Sequence, residues 1–197
     1  ITLSKDGDGF FTGIVTATDY KKADGSAVGG LSSDSDGNTI GGTNAGDSIT
    51  TGANNTTIGK DAGTAITSGA SNVAVGAEAL DANTTADNNT AVGKSAMGSN
   101  TTGANNTAVG QAALATNITS SDNTAVGRAS LSATTGDSNT AVGKGALENN
   151  SSASNNTAVG KNSLLSNTTG TRNTAVGTFA LDAATTVNDN TAFGYAA

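Results

Sequence analysis

Nine glycines recur along this chain at a spacing that leaves few folds open: Gly59, Gly76, Gly93, Gly110, Gly127, Gly143, Gly160, Gly177 and Gly194. Every interval is seventeen residues except the sixteen between Gly127 and Gly143, where the missing residue is placed between Leu131 and Thr134. The flanking residues keep to columns. Asn stands four before the glycine in all nine copies, from Asn55 to Asn190, and a large apolar side chain stands one before it, from Ile58 to Phe193. Ala or Ser follows three after it, and Leu or Met four after it from Leu80 to Leu181, with Gly63 in that place in the first copy. An earlier, imperfect copy, GNTIGGTNAG, centres on Gly41, eighteen before Gly59.

A seventeen-residue unit is too short for a helical hairpin and has no helix-length periodicity. It is the size of one coil of a β-solenoid, which predicts an all-β array of about ten coils over residues 37–197, the last one incomplete. In such an array each TAVG strand pairs with its own copies about 4.8 Å above and below. Like residues therefore stack on like. Asn89, Asn106, Asn123, Asn139, Asn156 and Asn173 are expected to form an amide ladder along the axis, and Gly93, Gly110 and Gly127 to sit where the backbone turns or crowds. Val92, Val109, Val126 and Val142, with Leu114, Leu131 and Leu147, are read as the interior filling. Alternation then sends Ala and Gly outward as a small-residue face that another chain approaches closely.

Composition fits a thin, repeated core rather than a globule. Aromatics are 3% and Trp is absent, so the usual anchors of a compact core are missing, while charged residues at 13% are too few for a disordered polyelectrolyte. Two large apolar side chains per coil make a single roll marginal and favour lateral association. Residues 1–36 lack the repeat and are expected to form a β-rich stalk or connector, with GIVTAT as a strand. The chain stops in mid-repeat at Ala197, as expected of an array that continues beyond it.

The same inventory excludes several function classes. A net charge of −7 disfavours nucleic acid. With no Cys there is neither a disulfide framework nor a thiolate metal site. No run approaches the roughly 18 apolar residues of a membrane span, so no membrane insertion by this segment is expected. His is absent too, and the carboxylates are scattered among unmatched columns, so no enzyme, no catalytic residue and no cofactor is expected. The GKS at Gly93–Ser95 lacks the second glycine of a phosphate loop, Asn88 standing in its place. DGDG at Asp6–Gly9 and DSDGN at Asp34–Asn38 read as solvated turns rather than calcium loops, having no later bidentate Glu. The N-x-S/T sequons, Asn100 and Asn117 among them, read as by-products of an Asn/Thr-rich repeat.

The NTAVGxxAL copies, from about residue 38 to 197, resemble the left-handed parallel β-roll heads of YadA-type trimeric adhesins, whose coil is shorter. The longer repeat is similar to that of tailed-bacteriophage fibre proteins, and FFTGIVTATDYKKADGSAVGGL resembles short segments of such fibres. The resemblance implies a left-handed roll, a homotrimer, and an extracellular place on a virion or a bacterial cell surface, with a cell-surface glycan or protein receptor as partner. The extra NTTG residues are expected to form a longer outer loop. The function expected is a structural and adhesive fibre segment: a phage tail fibre shaft or receptor-binding region, with a bacterial adhesin head as the alternative.

Two columns are candidate contact surfaces. One residue after the glycine come Lys60, Lys94, Arg128, Lys144 and Lys161, a broken basic line suited to an anionic surface glycan. The simpler reading, which the sequence favours, is that their stems cover apolar surface and keep the rod soluble. Eight before the glycine stands Ser or Thr, with Thr102, Thr135 and Thr169 as representatives. A stacked hydroxyl row of that kind keeps an ice-binding solenoid as a further alternative, although its adjacent Thr pair followed by Gly resembles a corner more than a flat strand.

Overall fold

Residues 31–197 are described in a computed structural model of the chain. The strand expected in GIVTAT and the DGDG turn lie outside the described residues. A two-residue strand, β1 (Ser32–Ser33), pairs antiparallel with β2 (Thr39–Gly41). From β2 onward the chain repeats one motif, a three-residue strand per coil: β3 (Thr56–Ile58), β4 (Val73–Val75), β5 (Thr90–Val92), β6 (Thr107–Val109), β7 (Thr124–Val126), β8 (Thr140–Val142), β9 (Thr157–Val159), β10 (Thr174–Val176) and β11 (Thr191–Phe193). All eleven strands lie in one sheet in sequence order, and β2 to β11 are parallel neighbours. The array is a β-solenoid of about seventeen residues per turn, with no helix among the described residues.

Copies stack residue on residue. Thr90, Ala91 and Val92 face Thr107, Ala108 and Val109, which face Thr124, Ala125 and Val126. Between strands the chain turns through residues in the left-handed region, four in a typical coil: Asn88, Gly93, Ser95 and Met97 have φ of 60°, 133°, 53° and 50°. Only glycine suits the second of these. A Cβ on Gly93 would stand 2.7 Å from the carbonyl carbon and oxygen of Gly110 in the next coil, so both the dihedral and the neighbour exclude a side chain.

The interior corrects the expected filling. Ala74, Ala91, Ala108, Ala125, Ala141, Ala158 and Ala175, the middle residues of their strands, are completely buried, whereas Val109, Val126 and Val142 are 36% exposed. The column of Val92, Val109, Val126 and Val142 is a continuous row, but on the outer face. The cause is the Asn four before the glycine: its amide bonds inside the coil, and period-two alternation then turns Thr out, Ala in and Val out. Leu114, Leu131 and Leu147 do fill the interior, each with no exposed surface.

Three further expectations change with the register. Gly41 faces Ile58, so Gly42, at φ 120°, is the glycine above Gly59 and the first interval is seventeen residues. In the short coil, Thr116 N–H donates to Ser132 O and Ala133 N–H to Glu148 O, so alignment holds through Ala133. The missing residue belongs to the corner after Thr134, where the other coils carry two residues, such as Thr101 and Thr102, in place of Thr135 alone. The NTTG stretch is no projecting loop either. Thr101 N–H donates to Ile118 O at 2.8 Å, Thr84 N–H to Thr101 O at 3.2 Å, and the Thr84 and Thr101 hydroxyls donate to the same two carbonyls. Stacking satisfies this backbone coil by coil, which leaves nothing to bulge outward.

Candidate interaction surfaces

The polar interior holds the surfaces in place. Asn38, Asn55, Asn72, Asn89, Asn106, Asn123, Asn139, Asn156, Asn173 and Asn190 form one ladder, in which each Oδ1 accepts the next Asn backbone N–H, as in Asn106 N–H to Asn89 Oδ1 at 2.9 Å. Most Nδ2 groups also donate to the Oδ1 below, and Asn106 Nδ2 donates to Ser120 O one coil on. The ladder needs a first rung. Asp34 supplies it: Oδ1 accepts the backbone N–H of Asp36 and Asn38, and Oδ2 accepts Asn38 Nδ2 at 2.9 Å. Hydrogen bonds from the Asn38 side chain and backbone hold the Asp34 carboxyl below its ordinary range. DSDGN is thus a ladder cap.

A second ladder went unrecognised in the sequence. Asn83, Asn100, Asn117, Asn150 and Asn167, seven after the glycine, are fully buried. Asn117 Nδ2 donates to Asn100 Oδ1 and to Ser120 O, both at 2.9 Å. Its one break lies between Asn117 and Thr134: the Thr134 hydroxyl accepts Asn150 Nδ2 at 3.1 Å and Gly136 N–H but donates within its own corner, to Gly136 O, leaving Asn117 Oδ1 buried without a partner. Asn100 and Asn117, read as stray sequons, are therefore interior residues. Their recurrence at seventeen residues was the available signal, obscured because Ile66, Thr134 and Ala184 interrupt the column.

Outside, the broad face of the sheet carries two rows, Thr90, Thr107, Thr124, Thr140, Thr157 and Thr174 beside Val92, Val109, Val126, Val142, Val159 and Val176. Neither row contains a charge. Lys60, Lys94, Arg128, Lys144 and Lys161 lie beyond the turning glycine and are all exposed. Lys60 pairs with Asp61 at 2.7 Å, which raises its pKa and lowers that of Asp61. Lys161 Nζ lies 5.4 Å from the centroid of Phe179, whose ring meets Tyr195 edge to face at 6.0 Å. Lys94, Arg128 and Lys144 have no ion-pair partner among the described residues.

The threonine column splits. Thr102, Thr135 and Thr169 are exposed, but the Thr135 hydroxyl donates to Ser151 O at 2.8 Å, taking over the inter-coil bond that the preceding Thr makes elsewhere. The row is therefore not one uniform hydroxyl array. Asp81, half-buried near Glu78, has its carboxyl pushed up, chiefly by burial. Of the acids, Asp189 is held down by a two-pronged pair with Arg172, 2.6 and 2.9 Å, on an exposed corner. No family model, no curated protein and no solved structure matches the chain, so what these surfaces do is read from their geometry and chemistry.

Proposed function

We propose that this chain is a non-enzymatic structural and adhesive segment of an extracellular fibre: a homotrimer of left-handed β-rolls of the kind the repeats resemble. Its place is the shaft or receptor-binding region of a phage tail fibre that contacts a host cell surface. The longer coil favours this over the bacterial adhesin head. The observation that carries the reading is the uncharged Thr/Val face. It runs the length of the array with its central valines 36% exposed, and a continuous apolar strip of that length is the kind of surface that association covers.

Rigidity follows from the same stack. Ten parallel strands at about 4.8 Å per step give a rod about 43 Å long, whose coils are tied by backbone bonds, two amide ladders and a leucine column. A rod built this way suits spacing and multivalent contact, where many weak copies add without one deep pocket.

Sedimentation of the full chain tests the association. A trimer at micromolar concentration is expected, falling to monomer in a Val109→Lys, Val126→Lys, Val142→Lys variant whose β circular dichroism is retained. A monomeric wild type, or a variant that stays trimeric, overturns the assignment. Attachment of labelled trimer to cells tests the adhesive half.

A further inference from the structure

Charge is sorted along this rod in a way the fold alone does not require. Five of the six basic residues among residues 31–197 stand in the single column after the turning glycine, the sixth being Arg172, and no acidic residue stands in it. In a chain of net charge −7, a column whose only charges are cations, with Thr43, Ala77, Gln111, Thr178 and Tyr195 as its neutral members, is a clear separation of charge. The column is a true spatial row. Ala112 N–H donates to Lys94 O, Ala129 N–H to Gln111 O, Gly145 N–H to Arg128 O, Asn162 N–H to Lys144 O and Phe179 N–H to Lys161 O, so each step is one coil. Lys94 and Arg128 are two coils apart, about 10 Å, and Arg128, Lys144 and Lys161 follow at about 5 Å each.

Stacking like charges at that distance is unfavourable unless an anion lies against them. Covering apolar surface with basic stems accounts for one such residue, not for the exclusion of acids from the column. The next column inward is neutral beside the dense part of the row, at Ala129, Gly145 and Asn162, whereas it is acidic at Asp61 and Glu78 beside the sparse part. The row also runs into aromatics: Tyr195, in the same column, is 77% exposed and meets Phe179, which lies under Lys161.

We propose that Lys94, Arg128, Lys144 and Lys161, ending at Tyr195, form a track for a linear anionic polysaccharide lying along the rod axis. This rests on the adhesive reading above and names its ligand class. A sugar ring in an extended chain spans about one coil spacing, so the carboxylates or sulfates of a linear polyanion recur on the same length scale as the cations of the row. The aromatic end offers a flat apolar surface to a sugar ring. Glu148 is the opposing group. Its Oε2 lies over Gly145, the residue that follows Lys144 in the chain, where a Cβ would come within 2.9 Å of it.

The test uses the full chain with polygalacturonate and heparin as probes and neutral dextran and single-stranded DNA as comparisons. Wild type is expected to bind both polyanions, more weakly as NaCl rises from low to physiological concentration. A Lys94→Gln, Arg128→Gln, Lys144→Gln variant is expected to bind about tenfold more weakly. Arg172→Gln, off the row, should bind as wild type, Glu148→Gln more tightly, and Tyr195→Ala more weakly without a change in salt dependence. The proposal is overturned if the triple variant binds as wild type, if dextran binds equally well, or if DNA is preferred. Sedimentation of the same samples separates the two readings: a trimer that attaches to cells without binding either polyanion removes the track alone, whereas a monomer removes the fibre.

Discussion

The first two coils and the six that follow fill the same interior by opposite means. Below β2 and β3 the position four after the glycine is Gly46 or Gly63, and Ile49 or Ile66 reaches in from seven after. From β4 onward the assignments exchange: Leu80, Met97, Leu114, Leu131, Leu147 and Leu164 come in from four after, and Asn or Thr occupies seven after. A Cβ on Gly63 would lie 2.6 Å from Thr57 Cγ2 and 2.9 Å from Ile66 Cδ1, so only one of the two columns can be large. Interior volume is what is conserved. The later arrangement forces leucine into the left-handed region, at φ 50° for Leu80 and 51° for Leu114, a strain of about 1 kcal/mol each. In return the second column is free for an amide ladder, which the first two coils lack.

Exchanging the two schemes gives the largest effect. Gly63→Leu alone overfills the coil and should destabilise it by about 3 kcal/mol, read as faster native-state hydrogen exchange in β2 and β3. Adding Ile66→Asn and Thr57→Ala rebuilds the later scheme and should recover most of the loss. A triple variant no better than the single would show that volume exchange is not the rule. In the later coils, Leu114→Ala should cost about 3 kcal/mol, because nothing from the second column can refill the space; a loss under 1 kcal/mol would mean the coil collapses inward.

Smaller effects come from the polar defects on each side. Inserting a threonine after Thr134 together with Thr134→Asn should close the second ladder, give Asn117 Oδ1 a donor and stabilise the central coils by about 1–2 kcal/mol. In the first region the buried Thr57 hydroxyl has no partner, and Thr57→Val should gain about 1 kcal/mol by removing it. Denaturant midpoints decide both.

The smallest effect is at the cap. The folded pKa of Asp34 is lowered, so its stabilisation is complete above the ordinary carboxylate range and is lost as pH falls through the depressed value. Exchange of the Asn38 and Asp36 amides should quicken as pH drops below about 4, after correction for intrinsic rates, while the same measurement around Asn139 should not. Asp34→Asn should remove the pH step.

Much of this molecule was legible in one dimension. Identical copies that stack by translation must place like on like, so the seventeen-residue period alone determined the solenoid, the first amide ladder and the glycine row. The leucines declared themselves interior for the same reason. What only the tertiary structure decided was direction. TAVG alternates equally well with Val inside or Ala inside, and the choice was made by where the coil turns: Asn88 and Gly93 bracket β5 in the left-handed region and aim the Asn89 amide inward, which turns Ala91 in and Val92 out. The Gly42 register and the second ladder were hidden likewise, since Ile49, Ile66 and Thr134 break those columns in sequence while occupying the same place in space. Residue identity sets what can stack, and backbone handedness at the corners sets which side of the wall each stack is on.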